Sequence, residues 1–151
     1  DLPMFKDNSI SLIYSSHSFE YFDRDEAGKA LQEWHRILEP NGVLRLAVPD
    51  FDSLLKVYSE TGEIEMVLGP LYGSMKIQTK LGNQSIYHRT VYNYKSLCRI
   101  LQENKFSEIR KYRWQDTIHN QYDDHSQAYF PHMDKENGLL ISLNVEAVKD
   151  V

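Results

Sequence analysis

Three groups of residues in this sequence could do chemistry. Ser15-Ser16-His17 ends a short apolar run, Ile10 to Tyr14, that follows the turn cluster Asp7-Asn8-Ser9. Small polar side chains and an imidazole at the carboxyl end of a strand stand where open α/β sheets bind ligands. The plainer alternative is a core strand leaving through a polar turn. The second group is Tyr72, Tyr87, His88, Arg89 and Tyr92, in a stretch from Leu71 to Tyr92 without clear periodicity. Long irregular segments in compact domains are usually functional or mobile. The third is His119, Asp123, Asp124, His125, His132 and Asp134. These are metal-ligand types, but their spacing is irregular, and neither an H-E-x-x-H motif nor a cysteine pair accompanies them. Solvated loop histidines are the commoner outcome.

The surrounding elements must place these groups. Ile10 to Tyr14 reads as a strand buried on both faces of a parallel sheet. Asp23 with Glu26 three residues later forms a capping-box pattern. The helix it opens carries Ala27, Ala30, Leu31, Trp34, Ile37 and Leu38 on one face, and Pro40-Asn41-Gly42 stops it. Val43 to Val48, broken only by Arg45, reads as a second buried strand, which completes a βαβ unit. Asp50 caps a helix with Phe51, Leu54, Leu55 and Tyr58 on one face, closed by Gly62. A short helical piece follows at Ile64 to Leu68, stopped by Gly69-Pro70. Asn93 caps a further helix with Leu97, Ile100 and Leu101 inward. Phe106 to Trp114 reads as a charged strand near an edge, and Gln115 to Asn137 as a long loop. Leu139 to Val148 alternates apolar and polar residues, the pattern of an antiparallel strand. The sum is a mixed α/β sheet.

Bulk properties narrow the function. With 151 residues the chain suits one domain with a real core. A net charge of -5 disfavours a nucleic-acid backbone as partner. No apolar run approaches the roughly 18 residues of a membrane span. Cys98, the single cysteine, cannot form an internal disulfide. That fits a reducing, cytoplasmic compartment, and its place beside Leu97 and Leu101 suggests a buried thiol.

The segments LPMFKDNSISLIYSSHSFEYF and LQEWHRILEPNGVLRLAVPDF, in this order, resemble the second half of a class I S-adenosylmethionine-dependent methyltransferase. His88, Arg89, Tyr92 and Leu97 follow an HR-x-x-Y-x-x-x-x-L pattern similar to such enzymes, and so does the closing SLNVEAVK strand. The resemblance covers nearly the whole chain. It implies a three-layer, Rossmann-like sheet of parallel strands plus a closing antiparallel strand. It also implies that residues 1–151 are one partial domain, because the family's glycine-rich first motif has no counterpart here and no GxGxG occurs. By the same resemblance, Ser15, Ser16 and His17 border the cofactor's methionine end, and Asp1 and Leu2 lie toward its adenine. Glu20 contacts the cofactor, contacts the substrate or caps the next helix; Tyr21 stands where the family often has histidine. His17 is the expected base or substrate contact. Tyr87, His88, Arg89 and Tyr129 are expected acceptor contacts.

Two functions remain open on these grounds. One is methyl transfer from S-adenosylmethionine to a small polar or sugar-like acceptor, with no nucleic acid or membrane as partner. The other is a non-catalytic, truncated methyltransferase-like module for assembly or regulation. If the strand that pairs with Ile10 to Tyr14 in the full fold is missing, that edge is expected to drive self-association.

Overall fold

A computed structural model describes residues 2–80 and 82–150. Strand β1 (Ile10–Ser16) leads through a 3-10 turn, Phe19–Tyr21, into helix α1 (Arg24–Ile37). The α1 capping box is complete: the Glu26 N–H donates to the Asp23 carboxylate, and the Asp23 N–H donates to that of Glu26. Strand β2 (Leu38–Pro49) follows directly, so the chain turns extended at Leu38, before the Pro40-Asn41-Gly42 stop expected from the sequence. Pro40 disfavours the helical region at the residue before it, which moves the end of the helix upstream.

Helix α2 (Phe51–Thr61) is capped by the Asp50 side chain and ends at Gly62 in the left-handed conformation. Its buried face is Ser53, Leu54 and Val57, whereas Leu55 and Tyr58, expected inward, are 49% and 44% exposed. Helix α3 (Glu65–Tyr72) runs through Gly69-Pro70 instead of stopping there. Pro70 removes one intrahelical donor, but the helix is short, and the Gly73 N–H closes it on the Gly69 carbonyl. The stretch from Leu71 to Tyr92 is more regular than its sequence suggests. It contains a hairpin of β3 (Met75–Thr79) and β4 (Gly82–Ile86), whose mostly exposed positions give little apolar alternation to read.

Helix α4 (Tyr94–Glu103) begins with a reciprocal cap between Asn93 and Ser96. Strand β5 (Phe106–Lys111) lies at a sheet edge, as expected. The long loop expected after it is only partly irregular. It carries 3-10 turns at Trp114–Asp116 and His125–Gln127, and a two-residue ladder joins β6 (Tyr129–Phe130) to β7 (Leu139–Leu140). The final strand β8 (Ser142–Lys149) is therefore shorter than the Leu139 to Val148 reading, because Ile141 breaks from the ladder to bond Ala128 and Asp50. Cys98 is half-buried, not buried.

The main sheet has the order β1-β2-β8-β5. β1 and β2 are parallel, with Leu12 opposite Val43 and Ser16 opposite Ala47. β8 runs antiparallel between β2 and β5, pairing Val43 with Val148 and Arg45 with Glu146. Leu44, Leu46, Val48, Leu143, Val145 and Ala147 pack with Ala27 and Leu31 of α1 and Leu97 and Leu101 of α4 into the main core. The polar positions of β8 are buried as well: Ser142, Asn144 and Glu146 are at most 8% exposed. Asn144 lies beneath the segment holding the His125–Gln127 turn, its amide donating to the Ser126 carbonyl, and Glu146 is held between Arg45 and Arg110. Among the described residues no helix is long and apolar enough to cross a membrane.

Candidate active site at the carboxyl ends of the strands

β1 ends in a sharp turn. His17 adopts a left-handed backbone, φ +46°, and its N–H donates to the Ala47 carbonyl of β2. That turn carries the His17 ring over the carboxyl end of the sheet. The Ser15 hydroxyl is taken up by that of Ser18 at 2.6 Å. The Ser16 hydroxyl and the Tyr14 phenol donate to Asp124 at 3.1 and 2.7 Å. Asp124 thereby fastens the His125–Gln127 turn to β1. Burial raises the Asp124 carboxyl, but hydrogen bonds from Ser126, Tyr14 and Ser16 outweigh it and hold the group below its ordinary value.

Above this strand end lies a cleft of about 670 Å³. His17, Tyr21, His88, His125, Tyr129 and His132 supply its aromatic and titratable wall; Pro70, Met133 and Ile141 make it partly apolar. A cleft of this size, lined by apolar groups with a few convergent polar ones, suits a small molecule. The His17 and His125 rings are 5.3 Å apart. Burial, with the neighbouring His125 and His88, pushes the His17 imidazole down to about 3. Burial lowers His88 too. Both rings are therefore neutral at neutral pH.

Glu20 lies beneath these two rings. Its side chain is 1% exposed, and its Oε1 is 3.6 Å from both His17 Nδ1 and His88 Nε2. Neither carboxyl oxygen has a hydrogen-bond partner among the described residues. Burial raises its pKa from 4.5 to about 7. His88 is held from two sides: its Nδ1–H donates to the Pro70 carbonyl at 3.0 Å, and Tyr21 meets its ring edge-on.

The structure brings His17, His88 and Tyr129, all expected site residues, onto one cleft. Tyr87 is 52% exposed and does not line it. Arg89 does not line it either: its guanidinium binds Asp23 and Glu26 at 2.5 and 2.6 Å. Leu2 is tied to α1, its N–H donating to Glu33 and its carbonyl accepting from Arg36. Asp1 lies outside the described residues. Of the suspected metal set, His125, His132, Asp123 and Asp124 do reach the cleft. His119 is buried and stacked on Tyr14 at 3.7 Å. Among the described residues no group of three or more His, Cys, Asp or Glu side chains could hold a metal ion.

Two parallel strands closed by an antiparallel one, with a cleft at their carboxyl ends, form a mixed α/β sheet. Comparison with known proteins agrees. Residues 1–46 match the methyltransferase domain family model. A malonyl-[acyl-carrier protein] O-methyltransferase of Coxiella burnetii is 26% identical over 107 residues, covering 67% of this chain and 37% of the relative. A methyltransferase of Thermotoga maritima, described as a possible histamine N-methyltransferase, superposes with a TM-score of 0.57 at 16% identity, over 99% of this chain and 60% of that one. The 1,6-didemethyltoxoflavin-N1-methyltransferase of Burkholderia thailandensis, solved with S-adenosylhomocysteine, superposes at 0.50 with 11% identity, over 97% of this chain and 46% of that one. The family model and the curated relative thus show similarity to methyltransferases over part of this chain, and the solved methyltransferases share its fold. The chain spans 37% of the curated relative and about half of these two structures.

Proposed function

We propose that this chain forms the acceptor side of an S-adenosylmethionine-dependent methyltransferase acting on a small polar molecule. The observation that carries this reading is the 670 Å³ cleft at the carboxyl ends of β1 and β2, on a sheet with the order and strand directions of that fold. The cofactor, when bound, supplies a methyl group activated on a sulfonium. The strand end at Ser15 and Ser16 with the left-handed turn at His17 fits its methionine end, because the backbone turns sharply there and faces a polar cleft. Leu2 and Asp1 are proposed for the adenine side. His17, His88 and Tyr129 orient the acceptor, and His17 is the proposed acid–base contact. Exclusion of water and fixed orientation supply much of the acceleration in such a reaction.

The acceptor does not transfer from the relatives, whose names span a malonyl-[acyl-carrier protein], an amine and a heterocycle. The polar wall favours a small polar compound, sugar-like ones included. The lone Cys98 fits a reducing, cytoplasmic setting. The outer side of β1 is unpaired among the described residues; a second copy of the chain, or sequence outside these residues, would add its strand there. Calorimetry of the full-length gene product with S-adenosylmethionine, followed by turnover against a panel of acceptors, tests this. Binding with micromolar affinity and transfer to a polar small molecule is the expected result. Failure to bind the cofactor would refute it.

A further inference from the structure

The hydrogen bonds around the cleft fix which nitrogen of each imidazole carries its proton. The Ser126 carbonyl can only accept, so the Asn144 amide nitrogen must face it, at 2.8 Å. The Asn144 carbonyl oxygen is then left for the Ser142 hydroxyl, which donates to it at 2.9 Å. With its one hydrogen committed, Ser142 must accept from His17 Nε2–H at 3.0 Å. The free lone pair of neutral His17 is therefore on Nδ1. On the other ring, the Pro70 carbonyl requires the proton of His88 on Nδ1, which leaves the lone pair on Nε2. These two nitrogens are the atoms that stand 3.6 Å from Glu20 Oε1. Three acceptor atoms thus converge with no donor between them among the described residues. The Glu20 oxygens are buried without a partner, which is costly, and a proton shared among the three relieves the cost.

We propose that His17, Glu20 and His88 hold one labile proton in common and form the proton-accepting centre of the site, which takes acceptors whose reacting hydroxyl or N–H must lose a proton, not carboxylates. This rests on the methyl-transfer reading above. The step balances within the chain and acceptor: the acceptor's O–H or N–H bond breaks, its electron pair stays on the heteroatom that attacks, and a new N–H or O–H bond forms on the cluster. A carboxylate acceptor is already ionised at neutral pH and has no use for such a centre. Buried Glu20 does not line the cleft, so the proton enters through the His17 and His88 rings that do. The acidity of Glu20, near neutrality, suits a base working at that pH. The other titratable groups facing the cluster are Tyr21 beside His88, Tyr92 beside Glu20, and His125 and Asp124 opposite His17. Arg89 approaches with its backbone, but its side chain is engaged by Asp23 and Glu26.

The test begins with nitrogen-15 NMR of the histidine rings in the wild-type full-length protein, which needs neither cofactor nor variant. At pH 8 it should show His17 as the Nε2–H form and His88 as the Nδ1–H form. Both should report one shared titration near pH 7, and that titration should vanish in Glu20→Gln. Opposite tautomers, or a histidine titration unchanged in Glu20→Gln, would overturn the proposal. In turnover, Glu20→Gln should lower kcat by about 10²-fold or more and abolish the acid limb of its pH profile, with the cofactor dissociation constant within 3-fold of wild type. Loss of cofactor affinity instead would make Glu20 a cofactor contact. Preferred turnover of carboxylates, or stoichiometric zinc uptake lost in Glu20→Gln, would equally overturn it. Absent cofactor binding in the wild type refutes the methyl-transfer reading and leaves the NMR result to stand or fall alone.

Discussion

Gly73 is where the second half of the chain grips the site, and Gly73→Ala is a sharp test of that grip. Gly73 closes α3 with φ +55° and ψ 176°. This is a region almost exclusive to glycine, and another residue held there costs about 1–3 kcal/mol. A methyl group on its Cα would also meet the His88 ring: Nε2 would be 2.2 Å away, Cδ2 2.5 Å and Cε1 2.7 Å. No carbon tolerates such approaches, so the ring must leave. In leaving it gives up its bond to Pro70, worth about 1 kcal/mol. The two effects sum to about 2–4 kcal/mol, or roughly 4–16 °C in midpoint for a chain of this size. Thermal unfolding followed by circular dichroism measures the loss, and histidine NMR locates it, because the His88 signal should move while that of His119 stays. A midpoint within 2 °C of wild type together with an unmoved His88 resonance would refute the reasoning.

Substitutions at two other places probe the same architecture. Glu20, raised from 4.5 to about 7, binds its proton more tightly folded than unfolded. Its stabilising contribution is therefore complete below pH 4.5 and is lost as pH rises through about 7, with an upper value of about 3 kcal/mol. His17, lowered to about 3, has the opposite sign: its contribution is complete above pH 6.5 and lost on acidification. Urea melts across pH should show Glu20→Gln gaining on the wild type between pH 5 and 8; a constant difference would contradict the shift. In β8, the Glu146 carboxylate is 11% exposed and bridges Arg45 and Arg110 at 2.8 Å each. Arg45→Met should cost about 2–4 kcal/mol in urea melts, somewhat below a fully broken buried pair because Arg110 remains. The double change Arg45→Met with Glu146→Leu should recover most of it. Additive losses would show that the pair is not coupled.

The central βαβ unit and the three helix caps at Asp23, Asp50 and Asn93 were legible because each depends on local chemistry. What the sequence concealed depends on neighbours. Ser142, Asn144 and Glu146 look like the wet side of an antiparallel strand, yet distant partners satisfy them: His17 for Ser142, the Ser126 carbonyl for Asn144, Arg45 and Arg110 for Glu146. Leu55 and Tyr58 share a helical face with Leu54 on a wheel, but α3 covers only the Leu54 and Val57 side. His17 and His88 were both legible as candidates. Their meeting over Glu20 was not, because it requires the β1 turn and the Gly73 corner together. Arg89, adjacent to His88, went instead to the α1 cap, where two carboxylates already stood waiting for a cation.

The middle of the sheet joins strands made far apart in time, β2 and β8. Arg45 and Glu146, partners in adjacent strands, are 101 residues apart. At ordinary rates of synthesis β2 waits about 5–20 s for its neighbour. During that interval one side of β2 is open, with Leu44, Leu46 and Val48 awaiting Leu143, Val145 and Ala147. The nascent chain is thus a client for whatever shields exposed strands in its host, and losing residues 142–149 would remove a central strand from the sheet.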